Sequence, residues 1–166
     1  MTEKASQFEA IYRANYHKVV RICEGYVNGD GPLANDLTQE VFIKVWEHLH
    51  TFRNESNIST WVYRITVNTC LLELRKKKYT KASAHLERIA EAEEDLTSTK
   101  ENQLQRMHNC INKLPKESRS IILLELEGLP QIEIAKIIGV SHEAIRVRVH
   151  RIKQGLTKCV QHENIR

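Results

Sequence analysis

Three features of this 166-residue sequence predict an all-α fold of two small helical domains joined by a flexible linker, the C-terminal one a helix-turn-helix. Glycine and proline are rare, six and three residues, which disfavours a β-rich fold with many tight turns. Apolar residues recur at spacings of three and four through most of the chain, the period of an amphipathic helix. One stretch, residues 79–97, breaks that pattern: it is rich in Glu, Ala, Ser and Thr, lacks an apolar stripe, and reads as a linker that is at most partly helical.

The elements follow in order. A first helix over roughly residues 7–27 uses Phe8, Ile11, Tyr12, Val19 and Ile22, and the Asn-Gly-Asp-Gly-Pro segment after it stops the helix. In DLTQEVFIKVWEHL, residues 36–49, Leu37, Val41, Val45 and Leu49 recur every four residues, widened by Phe42 and Trp46. Residues 58–78 place Trp61, Ile65 and Leu72 on one side of a third helix that ends in a cationic turn, favourable at a helix C-terminus. These elements make an N-terminal domain, residues 1–78. After the linker, Ser98 and Glu101 form a candidate capping box before Leu104, Met107, Ile111 and Leu114. Pro115 opens a further helix through Ser120, Ile122, Leu124 and Leu126, with Gly128 as its left-handed terminus. Residues 98–166 then hold about four helices.

The last two of them carry the sharpest signal. Ile132, Ile134, Ala135 and Ile138 give a short helix an apolar face, Gly139 permits the positive φ of a corner, Val140 plugs it, and Ser141 is the N-cap of the next helix. There Ala144, Ile145, Val149, Ile152 and Leu156 form the buried stripe. Arg146, Val147, His150, Arg151 and Lys153 are left on the remaining surface. A short helix, a glycine turn and a second helix with a cationic outer face describe a helix-turn-helix whose second helix enters the DNA major groove. Arginine suits base reading because its planar fork bonds guanine bidentately.

Composition supports this. The net charge is only +4, but residues 64–81 carry six basic side chains (Arg64, Arg75, Lys76, Lys77, Lys78, Lys81) against Glu73, and residues 87–101 reverse to six acidic against two basic. Two basic blocks around an acidic stretch suggest two nucleic-acid-facing surfaces on a jointed chain, although either block alone also fits a solvated helix face. The four cysteines, Cys23, Cys70, Cys110 and Cys159, are widely spaced with no CxxC pair, so they read as reduced structural thiols and not as a zinc site or disulfide framework. No metal or cofactor is expected. No apolar run approaches the roughly 20 residues of a membrane span, and the N-terminus lacks a signal-peptide core, so membrane insertion is not expected and the cytoplasm is the expected location.

Residues 114–156 resemble the promoter-binding C-terminal domain of bacterial RNA polymerase sigma factors of the sigma-70 family, and residues 36–78 resemble their N-terminal core domain. The small size is similar to the extracytoplasmic-function (ECF) group. The resemblance implies an alternative sigma factor that recruits core RNA polymerase to promoters and performs no bond chemistry. The D-x-x-Q-E-x-F pattern, here Asp36, Gln39, Glu40 and Phe42, would dock on the polymerase largest subunit, with Lys44 and Glu47 completing the polar face. The loop Phe52, Arg53, Asn54, Glu55, Ser56 and Asn57, with Trp61, Arg64 and Asn68 on the helix after it, would capture melted -10 DNA. The Arg75 to Lys78 run would hold phosphate. Arg146, Val147, His150 and Arg151 would face the -35 major groove, while Arg148, Lys153 and Ser141 would serve the DNA backbone and the helix start. Glu143-Ala144 and Val147 depart from the family's more polar pattern and put the promoter sequence in question. Core RNA polymerase and promoter DNA are the implied partners, and factors of this kind are usually held inactive by an anti-sigma factor.

Two other readings remain at this stage. A stand-alone helix-turn-helix regulator would leave the pattern from Asp36 to Phe42 without a use. An enzyme would need a phosphate loop, a ligand cluster or an activated nucleophile, none of which stands out; Cys70 lies in an apolar helix and reads as core.

Overall fold

The computed structural model describes residues 2–83 and 99–163, which are helical apart from short connections. Thr2 caps helix α1 (Glu3–Tyr26) by accepting the Ala5 N–H, so this helix begins earlier than its apolar stripe suggests. Asn28 and Gly29 follow in the left-handed region, and Gly29 returns its N–H to the Glu24 carbonyl. Asp30 then caps α2 (Gly31–His48) through the Leu33 N–H, with proline in its first turn. A 3-10 turn at Leu49–Thr51 leads to the loop before α3 (Ile58–Ser83), which continues past the expected start of the linker at residue 79. The rest of that expected linker, and Ser98 of the candidate capping box, lie outside the described residues.

α4 (Thr99–Asn112), α5 (Lys116–Leu126), α6 (Gln131–Ile138) and α7 (His142–Glu163) complete the fold. Pro115 sits at the N-cap of α5, one position earlier than a first-turn proline. Gly128 and Gly139 both adopt positive φ, +78° and +83°, as their turns require. Ser141 accepts the Ala144 N–H and so caps α7.

α1, α2 and α3 pack on one another, and α7 packs on α4, α5 and α6. Ile134, Ala135, Ile145, Val149, Ile152 and Leu156 are buried as the periodicity predicted, whereas Ile132 is 50% exposed. In α3 the buried stripe is Val62, Tyr63, Val67 and Cys70, and Leu72 points outward at 47% exposure. Thr60, Thr66 and Thr69 share that buried face; Thr66 is accommodated because its hydroxyl donates to the Val62 carbonyl, 2.9 Å away.

The two helical groups also meet, and their apolar residues form one continuous core cluster. Gly25 of α1 lies so close to Leu123 of α5 that an added Cβ would fall 2.2 Å from its side chain. Tyr26, fully buried, hydrogen-bonds Ser120, whose own hydroxyl donates to the Lys116 carbonyl. Tyr26 is therefore the donor in this pair. Burial pushes the Tyr26 phenol well above its ordinary range, so it keeps its proton. Around this seam Arg21 forks onto Glu127, with N–O distances of 2.8–3.1 Å.

One expectation about the cysteines is overturned. Cys110 and Cys159 are bonded as a disulfide, 49 residues apart in sequence, because the packing of α4 on α7 brings their Cα atoms to 6.0 Å. Cys23 and Cys70 are free and buried, as read from the sequence.

Candidate nucleic-acid interface

The outer face of α2 presents Asp36, Gln39 and Glu47 to solvent, with Glu40 and Lys44 half-buried. Lys44 pairs with Glu40 at 2.8 Å and reaches Thr69 of α3 at 3.2 Å, which fixes both charges along the helix. Phe42, the apolar member of the D-x-x-Q-E-x-F pattern, is buried and contacts Phe8, Tyr12 and Tyr16 of α1. Sequence reasoning missed Ile43, which is 58% exposed and stands one turn from Gln39, Glu40 and Glu47 and two turns from Asp36. An uncovered isoleucine ringed by polar side chains has the anatomy of an interface centre. Its signal was an apolar residue falling on the polar side of the α2 wheel. Trp46, 39% exposed, borders it with Lys4 over its ring.

The loop after α2 and the start of α3 enclose a cleft of about 540 Å3. Arg53, Glu55, Ser56, Trp61 and Arg64, all read from the sequence, line it, together with Phe52. Trp61 packs on Phe52 at 5.3 Å and forms an aromatic wall on which an unstacked base can lie. Three of the predicted residues do not face this cleft. Asn57 caps α3 by accepting the Ser59 N–H at 2.9 Å, Asn54 makes the loop turn with φ of +56°, and Asn68 opens onto a separate groove beside Val67 and Leu71. Lys136, from α6, is a lining residue that the local pattern could not supply.

α6 closes one side of this cleft. Thr60 donates to Glu133 at 2.7 Å, and Arg64 donates to the Lys136 carbonyl at 3.3 Å. The Thr60 hydroxyl and the Lys136 ammonium together hold the Glu133 carboxyl below the usual carboxylate range.

On α7, Arg146, Val147, His150, Arg151 and Lys153 line an open groove of about 760 Å3. Gln131 and Glu143 complete it, so the acidic residue at the start of α7 does share the cationic face. Arg146 and Arg151 make no ion pair with another described residue. Lys153 pairs with Glu125 at 2.8 Å, and Arg148, outside the groove, pairs with Glu117; both bonds fasten α7 to α5. Ser141 acts through the cap and not through the groove. The arrangement is an uncommitted arginine pair at the helix front, with cations behind it neutralised by the scaffold.

No group of three or more potential metal ligands occurs among the described residues, and none of their helices is long and apolar enough to cross a membrane.

Comparison with known proteins places most of the chain in two recognised regions. Residues 11–80 match the family model for sigma-70 region 2, and residues 104–156 match that for sigma-70 region 4. The RNA polymerase sigma factor SigZ of Bacillus subtilis is 30% identical over 149 residues, covering 87% of this chain and 84% of its own. The ECF RNA polymerase sigma-E factor of Escherichia coli K12 is 34% identical over 161 residues, covering 87% and 82%. Among solved structures, the sigma factor RpoE in complex with the anti-sigma factor NepR from Bartonella quintana superposes with a TM-score of 0.68 at 21% identity, over 92% of this chain and 98% of that one. CnrH in complex with the cytosolic domain of CnrY gives 0.71 at 18% identity, over 93% and 88%, so the fold is shared with both.

Proposed function

The chain belongs to the sigma-70 family of RNA polymerase sigma factors, in its ECF group, and from that premise we propose how its surfaces divide the work of an alternative sigma factor. Such a factor binds core RNA polymerase and directs initiation at particular promoters. The domains are residues 1–78 and 98–166, joined by residues 79–97. The α2 face, with Ile43 at its centre and Asp36, Gln39, Glu40, Lys44 and Glu47 around it, receives a polymerase helix. The cleft of Arg53, Glu55, Ser56, Trp61 and Arg64 holds a base of the melted -10 strand, while Asn54 and Asn57 shape its loop and Asn68 lies beside it. Arg146, Val147, His150 and Arg151 read -35 duplex, and Lys153 and Arg148 anchor backbone once released from α5. The factor works where RNA polymerase works, in the cytoplasm, and performs no bond chemistry itself. The capture of a fold neighbour by an anti-sigma factor supports a partner of the same class here.

One observation carries this reading: a cleft with an aromatic wall and an arginine-bearing recognition helix occur in a single chain, in the order of the two family regions. It also demands movement. The -10 and -35 elements are separated by about 25 base pairs, roughly 85 Å of B-DNA at ~3.4 Å per pair. Here the cleft and α6 touch, so the two helical groups part when both elements are engaged.

Binding of the purified chain to core polymerase tests the reading. Gln39→Ala with Glu40→Ala, and separately Ile43→Ala, are expected to weaken binding about tenfold or more. A folded protein that ignores core polymerase yet binds duplex DNA alone would be a stand-alone regulator, and the sigma assignment of these surfaces would fall.

A further inference from the structure

The fold assembles two cysteine pairs from four cysteines that look unrelated in sequence. Cys23 of α1 and Cys70 of α3 face each other with sulfurs 3.7 Å apart, both fully buried and unbonded. The hydrogen bond with Cys23, and burial, raise the Cys70 thiol well above its ordinary range, which leaves it unreactive. Cys110 of α4 and Cys159 of α7 are bonded, and they differ in access: Cys110 is 1% exposed, whereas Cys159 is half-buried in the last turns of α7. The Cys159 end of the pair is therefore the one nearer solvent.

A protein that works on RNA polymerase occupies a compartment where small thiols keep cysteines reduced, and disulfides formed there are typically transient. We propose that Cys110 and Cys159 form a reversible dithiol–disulfide site that sets the stiffness of the duplex-reading domain. In the forward direction the Cys159 thiolate attacks the O–O bond of a hydroperoxide, giving a sulfenic acid and releasing an alcohol or water. The Cys110 thiol then displaces the sulfenic oxygen as water and the S–S bond forms, so two thiols lose two electrons and two protons in all. In reverse, a small thiol attacks the Cys159 sulfur, and a second one resolves the mixed disulfide and regenerates both thiols.

Position gives the bond its effect. α4 packs principally against α7 and α1, and it leads in from the chain between the two helical groups. α7 is one helix, with its groove-lining residues in the first half and Cys159 near the end. Oxidation fastens α4 to α7 and holds α7 in the frame seen here; reduction removes that covalent tie and leaves α4 held by its non-covalent packing on α7 and α1. The stiffer state unfolds at higher temperature and presents the recognition helix in a more fixed orientation.

This effect on binding rests on the -35 reading of α7, whereas thiol counting and melting do not involve DNA. Full-length protein is equilibrated with excess reduced glutathione, then treated with hydrogen peroxide, and at each stage denatured, alkylated and weighed. Four alkylated thiols are expected in glutathione and two after peroxide, with Cys110 and Cys159 the two lost. The melting temperature is expected to rise by roughly 10 °C on oxidation. Affinity for a short random-sequence DNA duplex is expected to rise about three- to tenfold. Cys159→Ala, changed at the half-buried end, should show neither shift and carries the test if Cys110 variants fail to fold. A disulfide that survives excess glutathione, one that never forms with peroxide, or equal melting and equal affinity in both states overturns the proposal. Duplex binding absent in both states would instead remove the -35 reading, with the thiol count and melting still deciding the redox site.

Discussion

The two regions proposed to face DNA differ in how the fold leaves them. The α7 groove is open, and its arginine pair has no ion-pair partner among the described residues. The cleft before α3 is walled on one side by α6, which bonds Thr60 and Arg64 directly. In the proposed division of work the open site takes duplex, which needs no rearrangement to enter. The walled one is proposed to take single strand, which exists only after melting has begun. The difference suggests an order of use: the domain that reads duplex also shields the pocket that reads melted strand until the two helical groups part.

The largest effects are expected from the packing behind the two sites. Ile145→Ala removes a fully buried side chain from beneath the recognition helix and should cost about 2–5 kcal/mol. Differential scanning calorimetry should show this loss, and duplex binding should go with it while the α2 face still binds polymerase. Gly25→Ala drives a methyl group into Leu123 and should cost roughly 1–3 kcal/mol. Its sharper readout is the distance between labels on α2 and α7, which should lengthen; an unchanged distance would show that the seam does not hold the groups together. Arg146→Ala should weaken -35 duplex binding by about 1–3 kcal/mol and relax base preference at one position, leaving single-strand binding alone.

Thr60→Ala removes a bond to Glu133 that lies near solvent, so stability should change by less than about 1 kcal/mol. Binding of a labelled -10 oligonucleotide by the free protein should nevertheless increase, measured by anisotropy. The smallest effect concerns pH. His108 of α4 lies against Gly29, and burial lowers its pKa from the ordinary 6.5, against a raising influence of Glu24. The unfolded chain therefore binds a proton that the folded one resists. Stability from this group is complete above about pH 6.5 and falls as the pH drops below that value toward the folded pKa. Melting curves of His108→Gln should lack that component.

How much of this was legible in the sequence depends on the range of the interaction. The helix-turn-helix was readable because a 3.6-residue apolar stripe, a left-handed glycine and a serine cap act within a few residues of one another. The stripe of α3 was only partly legible: Trp61 and Ile65 do pack against the core and Cys70 is buried as read, but Leu72 faces outward, and Val62, Tyr63 and Val67 were passed over because threonines share their buried face. A threonine that donates its hydroxyl one turn back tolerates burial, so its polarity misleads a binary pattern. Arg53, Glu55, Ser56 and Arg64 converge on one cleft as read. Lys136 was out of reach because it arrives from another helical group, as was the pairing of Cys110 with Cys159. Ile43 could have been found: it breaks the polar face of α2 in mid-helix.

The Tyr26–Ser120 contact bears on how often this joint can be used. At the centre of the seam sit two hydroxyls bonded to each other, and Ser120 keeps its second bond within its own helix. When the halves come apart, water can take the place of each lost partner, so neither surface is left with a stranded polar atom. Beside them Gly25 lets α1 approach Leu123 of α5 closely. Such a seam behaves as a clasp rather than a weld: it can be wetted, released and closed again by the same protein molecule.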